Sequence, residues 1–331
     1  MKIKDYLIRA LKKIFRIANG VKFLNPLCDM DRQSANDKIY ELLIRDRPCM
    51  ISRFGTTELN CINNYLCVYS AKSYFGRVID YIKDNTHTPW WNEDHFHFMN
   101  IYSGIFPPGI DTSRKFAERY LHDIPLIDLL GSFQYYEKFM PLREDVLKVQ
   151  LETLYPFFVK RPWTLALKGK RVLVVHPFNK SINEQYLTKD DLFDNKDILP
   201  DFDLITLKAV QSVAGAKVPY KDWFEALKYM EDIISTIDFD VCILGCGAYG
   251  LPLAAHVKRL GKKAVHLGGG TQLLFGIKGK RWEVQYDRVL QYRPNEFINT
   301  NYIDLFNINW IYPDAAEKPI DAIKVENACY W

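Results

Sequence analysis

From residue 171 to residue 267 the chain alternates continuous apolar runs with helical periodicity. The runs lie at 171–176 (RVLVVH), 203–209, 240–244 (DVCIL) and 263–267, and helical patterns fill 223–237 and 251–260. A strand that is apolar at successive positions has no water-facing side, so both of its faces must be covered. Strands joined through helices pair in parallel, because a parallel return needs a long crossover. The pattern predicts an α/β fold: a Rossmann-like, mostly parallel sheet covered by helices.

The rest of the chain is less regular. A short strand is expected at 49–54, ending in Gly55. Residues 65–106 are aromatic and broken by Pro89-Trp90-Trp91, with Pro107-Pro108-Gly109 just beyond. Helices are expected near 112–122 and 143–158, and 161–170 reads as a linker. This divides the chain into an N-terminal helical segment (1–25) and one domain (26–331). That domain holds an aromatic region at about 65–160, an α/β part at about 170–290 and an irregular aromatic tail at 309–331.

Residues 1–18 form an amphipathic pattern. Ile3, Leu7, Ala10, Ile14 and Ile17 share one face, and Lys2, Arg9, Lys13 and Arg16 another. Residues 1–22 carry seven basic residues and one acid, a net +6. The whole chain is +4, so the other 309 residues sum to −2. By charge, the body does not bind nucleic acid. The basic helix fits peripheral contact with anionic lipid, or docking on its own domain or a partner. No apolar run is long enough to span a bilayer, and basic residues interrupt any signal-peptide core. The seven cysteines include no C-x-x-C pair, and Cys242 and Cys246 read as buried fillers. A reduced, cytoplasmic setting is the expectation, on the inner face of the plasma membrane if the helix binds lipid.

Five segments could carry chemistry. In Arg53-Phe54-Gly55-Thr56-Thr57-Glu58 a strand runs through a glycine into a helix start, where backbone N–H groups attract phosphate. Arg53 could pair with a diphosphate, and Glu58 could hold a divalent cation; otherwise a threonine caps the helix and Arg53 makes a structural ion pair. Gly245-Cys246-Gly247-Ala248-Tyr249-Gly250 is a G-x-G-x-x-G between strand and helix. The acid that would hold an NAD ribose is replaced by His266, so the turn fits a nucleotide or phosphate, or no ligand at all. Gly268-Gly269-Gly270-Thr271-Gln272 costs conformational entropy that a close ligand would justify, and Lys278, Lys280 and Arg281 lie just beyond. His176, Asn179 and Ser181 follow another strand end. Last, Glu93 and Asp94 in Trp90-Trp91-Asn92-Glu93-Asp94-His95, and Asp111, are candidate general bases near aromatic rings, or a solvated acidic turn.

The segment Arg53–Glu58, together with the later strand and glycine turn at 243–250 and the KAVHLGGG strand, resembles the GT-D glycosyltransferases. Their hallmark R-F-G-D-G-E places two carboxylates on a metal that binds the donor diphosphate. The whole chain also resembles proteins encoded among capsule and O-antigen genes, through LGCGAYGLPLA, FGIKGKRW and the closing CYW. The resemblance implies hexosyl transfer from a nucleotide sugar, UDP-linked, to a saccharide or lipid-linked acceptor in bacterial surface-polysaccharide assembly. The aromatic region would then be the acceptor side and 170–290 the nucleotide side. Thr56 stands where the family has its first acid, so only Glu58 carries over as a Mn or Mg ligand, and the basic loop could neutralise phosphate instead. The rival readings are an NAD(P)-dependent oxidoreductase and a non-catalytic scaffold of a polysaccharide-assembly complex that docks through its basic helix and aromatic tail.

Overall fold

The computed structural model of the protein describes residues 3–20, 26–283 and 301–331. Lys2, Lys22 and residues 284–290 of the α/β part lie outside the described residues. The chain begins with α1 (Ile3–Asn19), α2 (Arg32–Ile44), β1 (Cys49–Arg53), α3 (Thr56–Val68), α4 (Tyr74–Ile82), α5 (Glu93–Ser103) and α6 (Ile110–Asp123). Then come β2 (Leu129–Ser132), β3 (Leu147–Gln150), β4 (Arg171–His176), α7 (Asn179–Tyr186), β5 (Asp203–Lys208) and α8 (Trp223–Thr236). β6 (Val241–Leu244), α9 (Gly250–Arg259), β7 (Lys263–His266) and α10 (Gly270–Leu274) follow. The strands form one seven-stranded sheet in the order β3-β2-β1-β7-β6-β4-β5, parallel throughout.

Successive residues of one strand serve two cores, which is why the apolar runs show no alternation. In β4, Val172 and Val174 pack with Ile51, Ile243 and Val265 beneath α2 and the C-terminal segment. Leu173 and Val175 pack on the opposite face with Met50, Leu130 and Leu244, against α3, α6, α8 and α9. This is the doubly covered Rossmann-like arrangement that the sequence predicts.

The chain leaves β1 towards β2 and leaves β4 towards β5, in opposite directions along the sheet. The connections diverge and open a crevice over the carboxyl ends of β7 and β6 between them, where open α/β sheets bind ligands.

Three expectations differ. The helix expected at 143–158 is instead β3 and a short 3₁₀ turn, Leu151–Leu154. Leu147–Gln150 is half polar and lacks the apolar run that marks the equally short β6 and β7; its partners make it a strand, with Leu129 opposite Leu147 and Asp29 bridging Val149. β2 left no sequence signal for the same reason. The expected linker at 161–170 is a packed turn: Trp163 and Leu167 are fully buried, and the Trp163 indole donates to Leu154 O at 2.8 Å. Part of the tail is packed into the body, with Trp310, Val325, Cys329 and Trp331 buried in the core, while Tyr312, Ile320 and Ile323 are exposed. All seven cysteines are unpaired, with Cys242 and Cys246 buried. Among the described residues no helix is long and apolar enough to cross a membrane.

Candidate functional site

The carboxyl ends of β1, β7, β6 and β4 border one cavity of about 230 Å³. Four of the five sequence segments contribute to it. Arg53 stands at the end of β1, followed by Gly55, Thr56, Thr57 and Glu58 at the start of α3. The end of β4 supplies His176, and the turn after β6 supplies Gly245, Gly247 and Tyr249. His266, Gly268, Gly269 and Gln272 come from the end of β7 and the turn beyond, and Arg281 from the next loop. Backbone bonds carry the sheet into these turns: Gly245 N–H donates to Val175 O at 3.0 Å and Gly268 N–H to Leu244 O at 3.1 Å.

The remaining candidates lie outside the cavity lining, each for a local reason. Gly250 and Gly270 are packing glycines. A Cβ would fall 2.2 Å from His266 Nε2 at the first and 2.2 Å from the Tyr155 ring at the second. Ser181 donates its hydroxyl to Glu317, while Asn179 begins α7 and gives its carbonyl to the Asn183 side chain. Lys278 stacks its ammonium 5.9 Å from the centroids of Phe306 and Tyr312, and Lys280 is exposed. Glu93 and Asp94 are exposed in the first turn of α5, whose far end reaches the cavity through Tyr102 and Ser103. Ten residues of helix separate the two ends, roughly 15 Å. Asp111 is likewise exposed at the start of α6, while Tyr120 near its end lines the cavity.

Arg53 makes no ion pair among the described residues; its guanidinium lies 5.7 Å from the Phe133 ring centroid. Arg281, by contrast, is held by the Glu326 carboxylate and donates to the Tyr330 hydroxyl at 2.9 Å. The cavity therefore offers one uncommitted guanidinium and one committed one. α3 has no side-chain cap, and its first internal bond runs from Leu59 N–H to Gly55 O. The first-turn N–H groups carry the positive end of the helix dipole. The Glu58 carboxylate folds over this start: a Cβ on Gly55 would sit 1.8 Å from its Oε2.

Both lining histidines are neutral, because burial lowers each pKa to about 3, helped at His266 by nearby Arg53. His176 Nδ1 accepts from Phe178 N–H at 3.0 Å, which leaves Nε2 as its hydrogen-bearing nitrogen. His266 Nδ1 pairs with Ser52 Oγ at 3.1 Å. The Tyr249 ring stacks on Trp223 with centroids 4.9 Å apart and planes 9° apart, and its hydroxyl meets Ser212 Oγ at 3.0 Å.

Sequence reading missed Tyr102, Ser103, Gln211, Ser212, Glu326, Tyr330 and Trp331, all of which line the cavity. Gln211 and Ser212 had a usable signal, since they follow the carboxyl end of β5. Ser103 had none, although its hydroxyl is buried and has no hydrogen-bond partner among the described residues. A buried hydroxyl without a partner is uncommon, and a ligand would supply one.

No protein-family model, curated protein or solved structure matches this chain.

The donor set does not make a metal cage. Among the described residues no three His, Cys, Asp or Glu side chains come together to hold an ion. Glu58 would be the one carboxylate ligand to a divalent cation here, with substrate phosphates and water completing its shell.

Proposed function

We propose that this protein is a glycosyltransferase that moves a sugar from a nucleotide diphosphate, UDP by resemblance, to a saccharide or lipid-linked acceptor hydroxyl. On this reading it is GT-D-like and serves bacterial surface-polysaccharide assembly. The observation that carries the proposal is the meeting of Arg53, which has no ion pair among the described residues, the start of α3 after Gly55 and two glycine turns in one cavity. Such a cradle suits a pyrophosphate better than a neutral ligand.

In the reaction, the bond between the sugar's anomeric carbon and the diphosphate oxygen breaks, and UDP leaves with the bonding pair. The acceptor oxygen forms the new bond and gives its proton to a carboxylate. Arg53 stabilises the charge growing on the leaving oxygen, the term that usually dominates such chemistry. Glu58 is the better-placed base, because Glu93, Asp94 and Asp111 do not line the cavity and Glu326 is committed to Arg281. No step is assigned to a metal. The oxidoreductase reading is weaker, because the end of β7 presents a neutral histidine where a ribose-binding acid is needed.

Melting in the presence of UDP-sugars tests the proposal. A ligand at a hundred times its Kd should add about 2.7 kcal/mol of stability. Arg53→Gln should abolish that gain. Glu58→Gln should keep it but slow UDP release by about 10²–10⁴-fold. Stabilisation by NADH alone would restore the oxidoreductase reading, and indifference to every nucleotide would leave the scaffold.

A further inference from the structure

α1 is mounted with its charged side inward. Asp5 and Lys12 are buried. Lys12 Nζ lies 2.7 Å from Asp84 Oδ1 and 3.9 Å from the Tyr81 ring centroid. Arg16 donates two bonds of 2.6 Å to the same Asp84 carboxylate. The apolar side faces outward instead: Leu7 is 62% exposed, Leu11 51%, Ile14 61% and Ile17 76%. Tyr6 joins them, and α4, on which α1 packs, adds exposed Tyr74 and Phe75. A surface helix ordinarily does the reverse, burying its apolar stripe and wetting its charges.

The charges show what suits this face. Lys4 and Lys13 are exposed and flank the apolar stripe on its two sides. Lys12 and Arg16 are paired with Asp84, so Lys4 and Lys13 are the exposed cations of α1. A second copy of the chain would bring two such cationic segments together, which repel. An anionic lipid interface accepts both features at once, taking aliphatic side chains below its headgroups and cations at its phosphates.

We propose that α1 lays the protein flat on an anionic phospholipid surface, with Leu7, Leu11, Ile14 and Ile17 at the acyl boundary and Lys4 and Lys13 on lipid phosphates. The ion pairs to Asp84 fix the helix on the body, so docking also fixes how the body faces the membrane. This assignment does not depend on the transferase reading.

Co-sedimentation of the full chain with vesicles tests it. The protein should bind equimolar phosphatidylglycerol–phosphatidylcholine vesicles about tenfold or more tightly than phosphatidylcholine alone, and added salt should weaken the binding. The double variant Leu11→Gln/Ile14→Gln should melt with the wild type, because both side chains already face water, yet lose vesicle binding. Lys4→Glu/Lys13→Glu should lose the preference for phosphatidylglycerol. Three results would overturn the assignment: no binding to anionic vesicles, unchanged binding by either double variant, or a concentration-dependent dimer that Leu11→Gln/Ile14→Gln dissolves.

Discussion

Gly55 and Gly250 are glycines for opposite reasons. At Gly250 a methyl group would strike the His266 ring, which is buried and paired through Nδ1 with Ser52 Oγ. Overpacking of this kind costs about 1–3 kcal/mol. Gly250→Ala should therefore lower the urea midpoint by that amount. At Gly55 the backbone is extended, φ −81°, which any residue adopts, and the atom in the way is the far end of a flexible side chain, Glu58. Gly55→Ala should leave the melting temperature near wild type while displacing Glu58, and its UDP release should fall as far as in Glu58→Gln. Full activity in Gly55→Ala would show that the carboxylate's position over the helix start does not matter.

At the scale of elements, the start of α7 depends on the C-terminal segment. Its N-cap residue, Phe178, has no side chain able to cap. Glu317 does so from 137 residues away, accepting from Lys180 N–H at 2.8 Å and from the Ser181 hydroxyl. The carboxylate also meets the positive end of the helix dipole. Gln185, further along α7, donates to Asn309 O at 3.0 Å, so the segment is fastened at a second point. Cap loss typically costs about 0.5–2 kcal/mol, and Glu317→Ala should show a loss of that size in chemical denaturation. Because Tyr330 and Trp331 close one side of the cavity, the same variant should also weaken stabilisation by UDP-sugars.

For the molecule as a whole, the buried histidines set the acid limit of stability. His176 and His266 stay neutral down to about pH 3 in the fold, whereas an unfolded histidine takes a proton near pH 6.5. Between those values the unfolded chain binds more protons, so stability is full above about pH 6.5 and falls as the pH drops towards 3. Each histidine steepens that fall by up to about 1.4 kcal/mol per pH unit. Urea midpoints at a series of pH values should decline from pH 6.5 downward, and His266→Asn should reduce the slope. A flat profile to pH 4 would mean the rings are hydrated or already charged.

Local pattern alone determined the central strands, the covering helices and most of one cavity wall. Doubly buried strands must be apolar at every position, and a ligand-facing turn must be short and rich in glycine, so both leave marks within a few residues. Long-range pairing decided the rest. β2 and β3 carry no apolar run and exist because β1 offers β2 a partner and β2 in turn offers one to β3. Ser103, Gln211, Glu326 and Trp331 reach the cavity through the packing of distant elements, as does the cap on α7. The same packing set the roles of single residues: of the three glycines of one motif, Gly247 takes a φ of +56° in open space, while a Cβ would strike His176 and Thr271 at Gly245 and His266 at Gly250, and Arg281 faces a carboxylate where Arg53 does not among the described residues. Which face of α1 meets the body likewise shows only in its contacts outside the helix, among them the pairing of Lys12 and Arg16 with Asp84.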